Sequence, residues 1–508
     1  MAISDNKRIA KNTIYLYIRT IIVLFISLYT SRIVLQVLGA DDLGIYNVVG
    51  GIIALMSFFQ AAQTKATSRF ITYELGKNSV VEKLKHVFSV CMSIHILTAI
   101  IAVILAETIG LWIVLHWTNI PLDRQLASVF VYQFSILVFC VQLIRIPYDS
   151  IIVAHEDMSI YAYFSILEVV LQLVLIFFVK KASFDSLILY AGLMAFSSFI
   201  LLLSYYIYVR KKFPVYTFRF LWDKEYSRKI MSFSSWTLLG TSANTFTQQG
   251  VSLLMNNFVG LVANAALGFS SQVNIAVSKF VNGFSTAFTP QIIKLYAQND
   301  FPSLHSLIFR SSKFSFALCY IMALPLIINM DFILHLWLGD SVPQYTAEFC
   351  SLILVCTIID ATTGVYNTTI TATGHIKQYQ ILISISFLLD LICCSIMLVY
   401  TIDPVYVFGS RIFTRGIINM FIGLYYVKRY VDFDVKRYSN EVLLRIFYTL
   451  FLTIIPVSVL AWITDGWTQL ISTGLASIIL ISLCVFMLIM TRAERNVILE
   501  KIILKIKQ

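Results

Sequence analysis

The chain has 508 residues, of which 58% are hydrophobic and only 13% charged, with a mean hydropathy of +0.81 and a formal net charge of +11. Soluble domains carry about 25% charged residues, so composition excludes an ordinary water-soluble enzyme or nucleic-acid binder. Apolar runs of about 20 residues suffice to cross a bilayer as helix, and this chain reads as an all-α integral membrane protein.

About fourteen spans are expected, near residues 13–37, 43–63, 87–107, 126–146, 159–179, 186–208, 231–254, 265–290, 314–336, 347–371, 379–400, 405–427, 446–464 and 468–490. The first apolar run is too long for a signal peptide and has no small-residue cleavage site after it, so it reads as a retained helix. Six spans fill residues 1–208, the N-terminal lobe. Residues 209–230 (VRKKFPVYTFRFLWDKEYSRKI) are basic and aromatic and broken by Pro214. They read as a cytoplasmic linker with rings at the headgroups and cations toward anionic lipid. Residues 231–427 form a C-terminal six-helix lobe, and 428–508 a helix pair with a basic tail. Most of the 38 Lys and Arg fall in alternate loops and at both ends, including Lys7, Arg8 and Lys11, the linker run, and Arg145 at the end of span four. The positive-inside rule then puts both termini in the cytoplasm.

Five cations lie inside apolar runs: Arg19, Arg32, Lys279, Arg411 and Arg415. Each costs about 2.5–3.5 kcal/mol at a helix centre on insertion scales and must face a bundle interior or a wet cavity. Arg411 and Arg415 are one turn apart, so both guanidiniums project from one helix face. Two such groups suit a pyrophosphate, which Arg meets bidentately. They are equally placed to pair internally with Asp390 or Asp360. Lys279 has Gln272, Asn274, Ser278 and Asn282 around it and reads as cavity-lining or bonded to backbone carbonyls. Arg32 and Arg19 lie nearer the two ends of span one and can also snorkel to the interfaces. Span seven is the most polar, and Asn244 and Gln248, at i,i+4, are its candidates for a cavity wall. Three buried acids, Glu168, Asp360 and Asp390, either relay protons or neutralise the cations. Five cations against three acids leave a net positive interior, which suits an anion that must cross.

The eight cysteines have no zinc-type spacing, and the seven histidines form no HExxH-like pair. No metal site or cofactor is expected. There is no P-loop, and the outer loops are too short to hold the catalytic groups of a membrane glycosyl enzyme. The chain is expected to be a non-enzymatic transporter.

Two turns look related across the linker: LGADDLGIYNV, with Gly39, Leu43 and Gly44, and VGLVANAALGFSS, with Gly260, Leu267 and Gly268. Parallel repeats are one known transporter design. The first turn is similar to the Leu-Gly-x(3)-Leu/Phe-Gly-x-Tyr turn after the first helix of polysaccharide exporters in the MATE-like (MOP) superfamily. TKATSRFITYELGK after span two also resembles that group, above all the Wzx-type flippases of O-antigen and other repeat units. The resemblance covers the whole chain. It implies two six-helix lobes in a V around a central cavity, plus the C-terminal pair, in the bacterial inner membrane. Its implied activity is alternating-access export of a polyprenyl-pyrophosphate-linked oligosaccharide for surface polysaccharide synthesis. The implied partners are that lipid, membrane lipids and other polysaccharide-assembly proteins, with no nucleic acid. Rival readings are a cation-coupled multidrug exporter of the same fold and a scaffold in a polysaccharide-assembly complex.

Overall fold

The computed structural model describes residues 2–54, 56–116, 120–181, 183–339, 342–490 and 495. The tail from Thr491, apart from Arg495, and the side chains of Lys7, Arg8 and Lys11 lie outside the described residues. In hydrocarbon every backbone polar group must be satisfied within the protein, and the chain meets that demand with helices. They are α1 (Ala2–Ala54), α2 (Ser57–Gly76), α3 (Val81–Leu105), α4 (Leu111–His116), α5 (Gln125–Ala154), α6 (Met158–Lys181), α7 (Ser186–Lys212), α8 (Lys224–Phe258), α9 (Leu261–Ala297), α10 (Phe301–Ile328), α11 (Met330–Leu338), α12 (Thr346–Thr373), α13 (Lys377–Val399), α14 (Pro404–Arg411), α15 (Ile418–Val431), α16 (Val435–Tyr438), α17 (Leu444–Ile463) and α18 (Gly466–Cys484). No strand occurs among the described residues.

Among the described residues, ten stretches are long and apolar enough to cross a membrane. The other four expected spans also fall on helices: α1 into α2, α8, α9, and α14 into α15. These carry the polar side chains that the sequence singles out, which lowers their apolarity. The two related turns share a backbone device. Gly39 kinks α1 at φ +76°, and Gly260 separates α8 from α9 at φ +110°. Both conformations favour a residue without Cβ.

The chain divides into two compact units, residues 1–242 with 286–299, and residues 243–285 with 300–508. In the first, α5 is the central helix, packed on α1, α2, α3 and α7. Val131, Tyr132, Leu143, Ile151 and Ile152 are fully buried along it. The end of α9 joins this unit through a close backbone approach. A Cβ at Gly76 would stand 2.7 Å from Lys294 Cα, so only glycine fits. Beside it the buried Glu156 carboxylate accepts from Lys294 Nζ at 2.7 Å and Gln291 Nε2 at 3.2 Å.

After a turn at residues 214–215, residues 216–223 follow α3 without regular secondary structure. The Ser89 hydroxyl donates to the Thr217 carbonyl and accepts from the Arg219 amide, and Ser93 Oγ accepts from the Leu221 amide. Two helix serines thus satisfy backbone that forms no secondary structure. In the neighbouring turn, His155 stacks on Phe213 at 4.1 Å and meets the Tyr216 hydroxyl at 3.1 Å. Burial, with Lys294 nearby, pushes His155 down to about 4. Burial also acts to raise the Asp157 carboxyl, but hydrogen bonds from Lys212 and Tyr208 outweigh it and hold the group below its ordinary value.

In the second unit α10 packs on α12 and α18, and α13 packs on α14 and α15. The C-terminal pair is built onto α10 by buried polar contacts, Tyr320 Oη to Thr453 Oγ1 and Asn329 Nδ2 to Thr473 Oγ1, each 2.8 Å. Such bonds average about 0.6 kcal/mol between membrane helices, so they orient the pair more than they hold it.

Candidate functional site

The second unit holds a cavity of about 270 Å³. One wall is Pro404–Val431, whose middle residues Ile412–Ile417 form a π-helical turn between α14 and α15. Such turns often mark functional positions, and this one carries Arg415. Its fit against α12 comes from a repeat. Gly409, Gly416 and Gly423, spaced by seven, face Leu352, Ile359 and Tyr366, spaced by seven on α12. A Cβ at Gly416 would lie 3.0 Å from Ile359, and one at Gly423 2.8 Å from Tyr366. Small residues let membrane helices approach this closely. The approach brings Cys356, Thr357 and Asp360 of α12 onto the cavity wall with Arg411 and Arg415.

Arg411 is buried and gives Nε to Asp390 Oδ2 at 3.1 Å. Thr414 Oγ1 donates to the other Asp390 oxygen at 2.6 Å. The internal pair open at the sequence level is therefore made for Arg411. Its Nη2, also buried, has no hydrogen-bond partner among the described residues. Arg415 has no hydrogen bond or ion pair within 4 Å among the described residues. It lies 5.8 Å over the Phe387 ring and interacts electrostatically with Asp360. Neutral groups complete the wall: Gln248, Gln249, Ser252, Asn264 and Asn274. Ser252 Oγ donates to Asn264 Oδ1 at 2.5 Å, and Thr357 Oγ1 to Asn274 Oδ1 at 2.7 Å. Gln248 Nε2 donates to Asn244 Oδ1 at 3.2 Å. Asn244 thus stands one turn behind the lining residue.

The other sequence-selected cations do not line this cavity. Lys279 is exposed. It is five residues from Asn274, about 140° around α9 at 3.6 residues per turn, so the polar face that reaches the cavity does not carry it. Arg32 is exposed on α1. Arg19 belongs to a cluster in the first unit, with its guanidinium 4.7 Å over the Tyr161 ring. There Arg145 Nη1 meets Glu168 Oε1 at 3.5 Å, and Asp149 interacts with both Arg145 and Arg19. Arg145, counted from sequence with the inner-side loops, lies inside α5 and is part of this cluster. Asp149 was missed because span four was ended at residue 146, before Pro147. The apolar run resumes as SIIVA, and α5 continues through it to Ala154.

The first unit has its own cavity of about 520 Å³, reached by Glu168 and by the amides of Asn47, Gln60, Gln142 and Gln172. None of these amides was picked out from sequence. The available signal was each amide's isolation inside an apolar run. The eight cysteines are all free thiols, and no group of His, Cys, Asp and Glu among the described residues is arranged to hold a metal ion.

These features define a multi-pass helical membrane protein with polar, charge-paired cavities inside its bundles, the build of a transporter. A family profile described as "Polysaccharide biosynthesis protein" matches residues 9–296, and one described as MatE matches residues 237–396. The chain belongs to the polysaccharide biosynthesis protein family of the MOP superfamily. No curated protein matches it. Among solved structures it is similar to a MATE protein in a bent conformation (TM-score 0.72, 14% identity, 84% of this chain and 96% of that one). It is similar to an outward-facing multidrug-resistance MATE transporter of the MOP superfamily (0.69, 13%, 86% and 96%). It also resembles a Pyrococcus furiosus MOP transporter whose binding pocket is described as of reverse polarity, suggesting a different function (0.69, 14%, 83% and 96%). At such identities the likeness fixes the fold.

Proposed function

We propose that the chain is an alternating-access flippase that moves a polyprenyl-pyrophosphate-linked oligosaccharide from the inner to the outer leaflet of a bacterial inner membrane, with both termini cytoplasmic. The supporting observation is Arg415, a cavity-lining guanidinium with no hydrogen bond or ion pair among the described residues, on the same cavity wall as Arg411. A guanidinium that keeps its donors free in an intramembrane cavity suits a phosphate group. The surrounding amides and hydroxyls suit a polar headgroup better than a lipophilic drug. Two negative charges moving outward through an inside-negative field gain about 4.6 kcal/mol per 100 mV, so membrane potential assists export.

The test is flipping of a lipid-linked glycan in proteoliposomes. Arg415→Ala should slow it about tenfold or more, and collapsing the potential should slow the wild type. Unchanged rates for Arg415→Ala sink the site assignment. A second reading, a cation-coupled drug exporter, is favoured by Asp360, the one carboxylate on the same wall. Export of cationic dyes that depends on Asp360 but not on Arg415 would select it.

A further inference from the structure

The cavity of the first unit has a chemistry of its own. Its volume of about 520 Å³ lies within the roughly 300–1,000 Å³ of small-ligand sites. Four primary amides reach it from four helices: Asn47 from α1, Gln60 from α2, Gln142 from α5 and Gln172 from α6. Gln60 Nε2 donates to Gln142 Oε1 at 3.2 Å. That bond leaves the Gln60 carbonyl able to accept and the Gln142 amino group able to donate. Asn47 and Gln172 have no partner among the described residues. Phe134 and Phe139 add aromatic wall. On the α1 side, a Cβ at Gly50 or Gly51 would meet no atom within 4 Å, so a larger side chain there has open space to enter.

The one carboxylate, Glu168, is matched by Arg145 at 3.5 Å. The site therefore offers convergent donors and acceptors and apolar ring faces, with no unpaired charge. A phosphate lacks a free cation here, and a cationic drug lacks a free acid. A neutral ligand rich in hydroxyls can hydrogen-bond to these amides, which are accessible from the cavity.

We propose that this cavity binds the neutral sugar residues of the transported lipid. The proposal rests on the flippase reading and adds that glycan and pyrophosphate are recognised by different units of the chain.

The experiment measures equilibrium binding in nanodiscs to two probes: bare polyprenyl pyrophosphate, and the same lipid bearing the host's own repeat unit. Wild type should bind the glycosylated probe more tightly. Gln142→Ala and, independently, Gly51→Leu should weaken that probe about tenfold and leave the bare lipid within about twofold, which also reports intact folding. Gly51→Leu fills the cavity without touching an amide, so it decides the matter if Gln142→Ala fails to fold. Equal wild-type affinity for the two probes overturns the glycan site. So does a Gly51→Leu variant that weakens both probes alike or neither. Arg415→Ala provides the separate arm. It should weaken both probes, and wild-type affinity for both would overturn the Arg415 phosphate site on which the flippase reading rests.

Discussion

Removing the Asp390 carboxylate should be worse for stability than removing it together with the Arg411 charge. Asp390 is fully buried and meets Arg411 Nε at 3.1 Å and Thr414 Oγ1 at 2.6 Å. At that separation two unit charges attract by about 5 kcal/mol with an effective dielectric of ~20. Desolvation of both groups cancels most of this. What remains when one partner is cut away is a stranded guanidinium, and breaking a buried pair costs about 3–5 kcal/mol. Asp390→Ala should lose about that much. Asp390→Ala/Arg411→Met removes both charges and should return to within about 1 kcal/mol of wild type. The Thr414 hydroxyl keeps its 3.3 Å bond to the Ser410 carbonyl in either case. The measurement is unfolding in detergent of wild type, both single variants and the double variant, read as a cycle. Scan rate is held fixed because such unfolding is often irreversible. Asp390→Ala within 1 kcal/mol of wild type, or a double variant no better than that single, would refute a buried ion pair.

Gly423→Ala puts a methyl 2.8 Å from the Tyr366 ring, so its apparent melting temperature should fall by the equivalent of about 1–3 kcal/mol. Gly409→Ala, 3.8 Å from Leu352, should be neutral or slightly stabilising, and equal losses at both positions would deny the close approach. His155 is held down at about 4 against an ordinary 6.5. As pH falls, the unfolded chain takes its proton first, so the His155 contribution is complete above about pH 6.5 and erodes toward pH 4. His155→Phe should flatten that loss, and an unchanged pH profile of melting temperature would exclude His155 as its source. Phe218, Phe220 and Trp222 are all exposed and alternate along the linker. Brominated lipids should therefore quench a fluorescence component that is absent from Trp222→Phe. Quenching of that component by aqueous acrylamide alone would put the face in water.

Helix number and type were legible because apolar length is a strong signal. The ends were not, and Asp149 shows the cost. Span four was ended at residue 146, yet α5 runs on through Pro147 to Ala154. Which face of a helix a polar residue occupies was legible only locally. The i,i+4 spacing of Arg411 and Arg415 placed both on one helix face, and both line the cavity, although a π-helical turn begins between them. Lys279 was judged by its polar sequence neighbours, but five residues of helix turn it away from Asn274. The Arg411–Asp390 contact was open in sequence because it depends on the pairing of α13 with α14, which no local pattern encodes. The Gly409, Gly416 and Gly423 repeat was present in the sequence. Its meaning required the matching repeat on α12, 57 residues earlier at each step.

The intramembrane charges change character once partners are assigned. Arg19 and Arg145 accompany Asp149 and Glu168 in one unit, and Arg411 and Arg415 accompany Asp360 and Asp390 in the other. Each quartet is neutral when ionised. Lys279 and Arg32, both exposed, account for the positive excess counted from sequence. The second cavity thus offers directional guanidinium donors with little net field, which lowers the cost of holding them in a membrane. Asp360 then becomes the residue that separates the two transport readings. Under the flippase reading its charge opposes an incoming phosphate, and neutralising it makes the quartet positive. Asp360→Asn should bind bare polyprenyl pyrophosphate several-fold to tenfold more tightly, within the 1–3 kcal/mol usual for coupled sites. If Asp360→Asn instead leaves the lipid's affinity unchanged and abolishes export of cationic dyes, the carboxylate serves a cation, and the cavity belongs to a drug exporter.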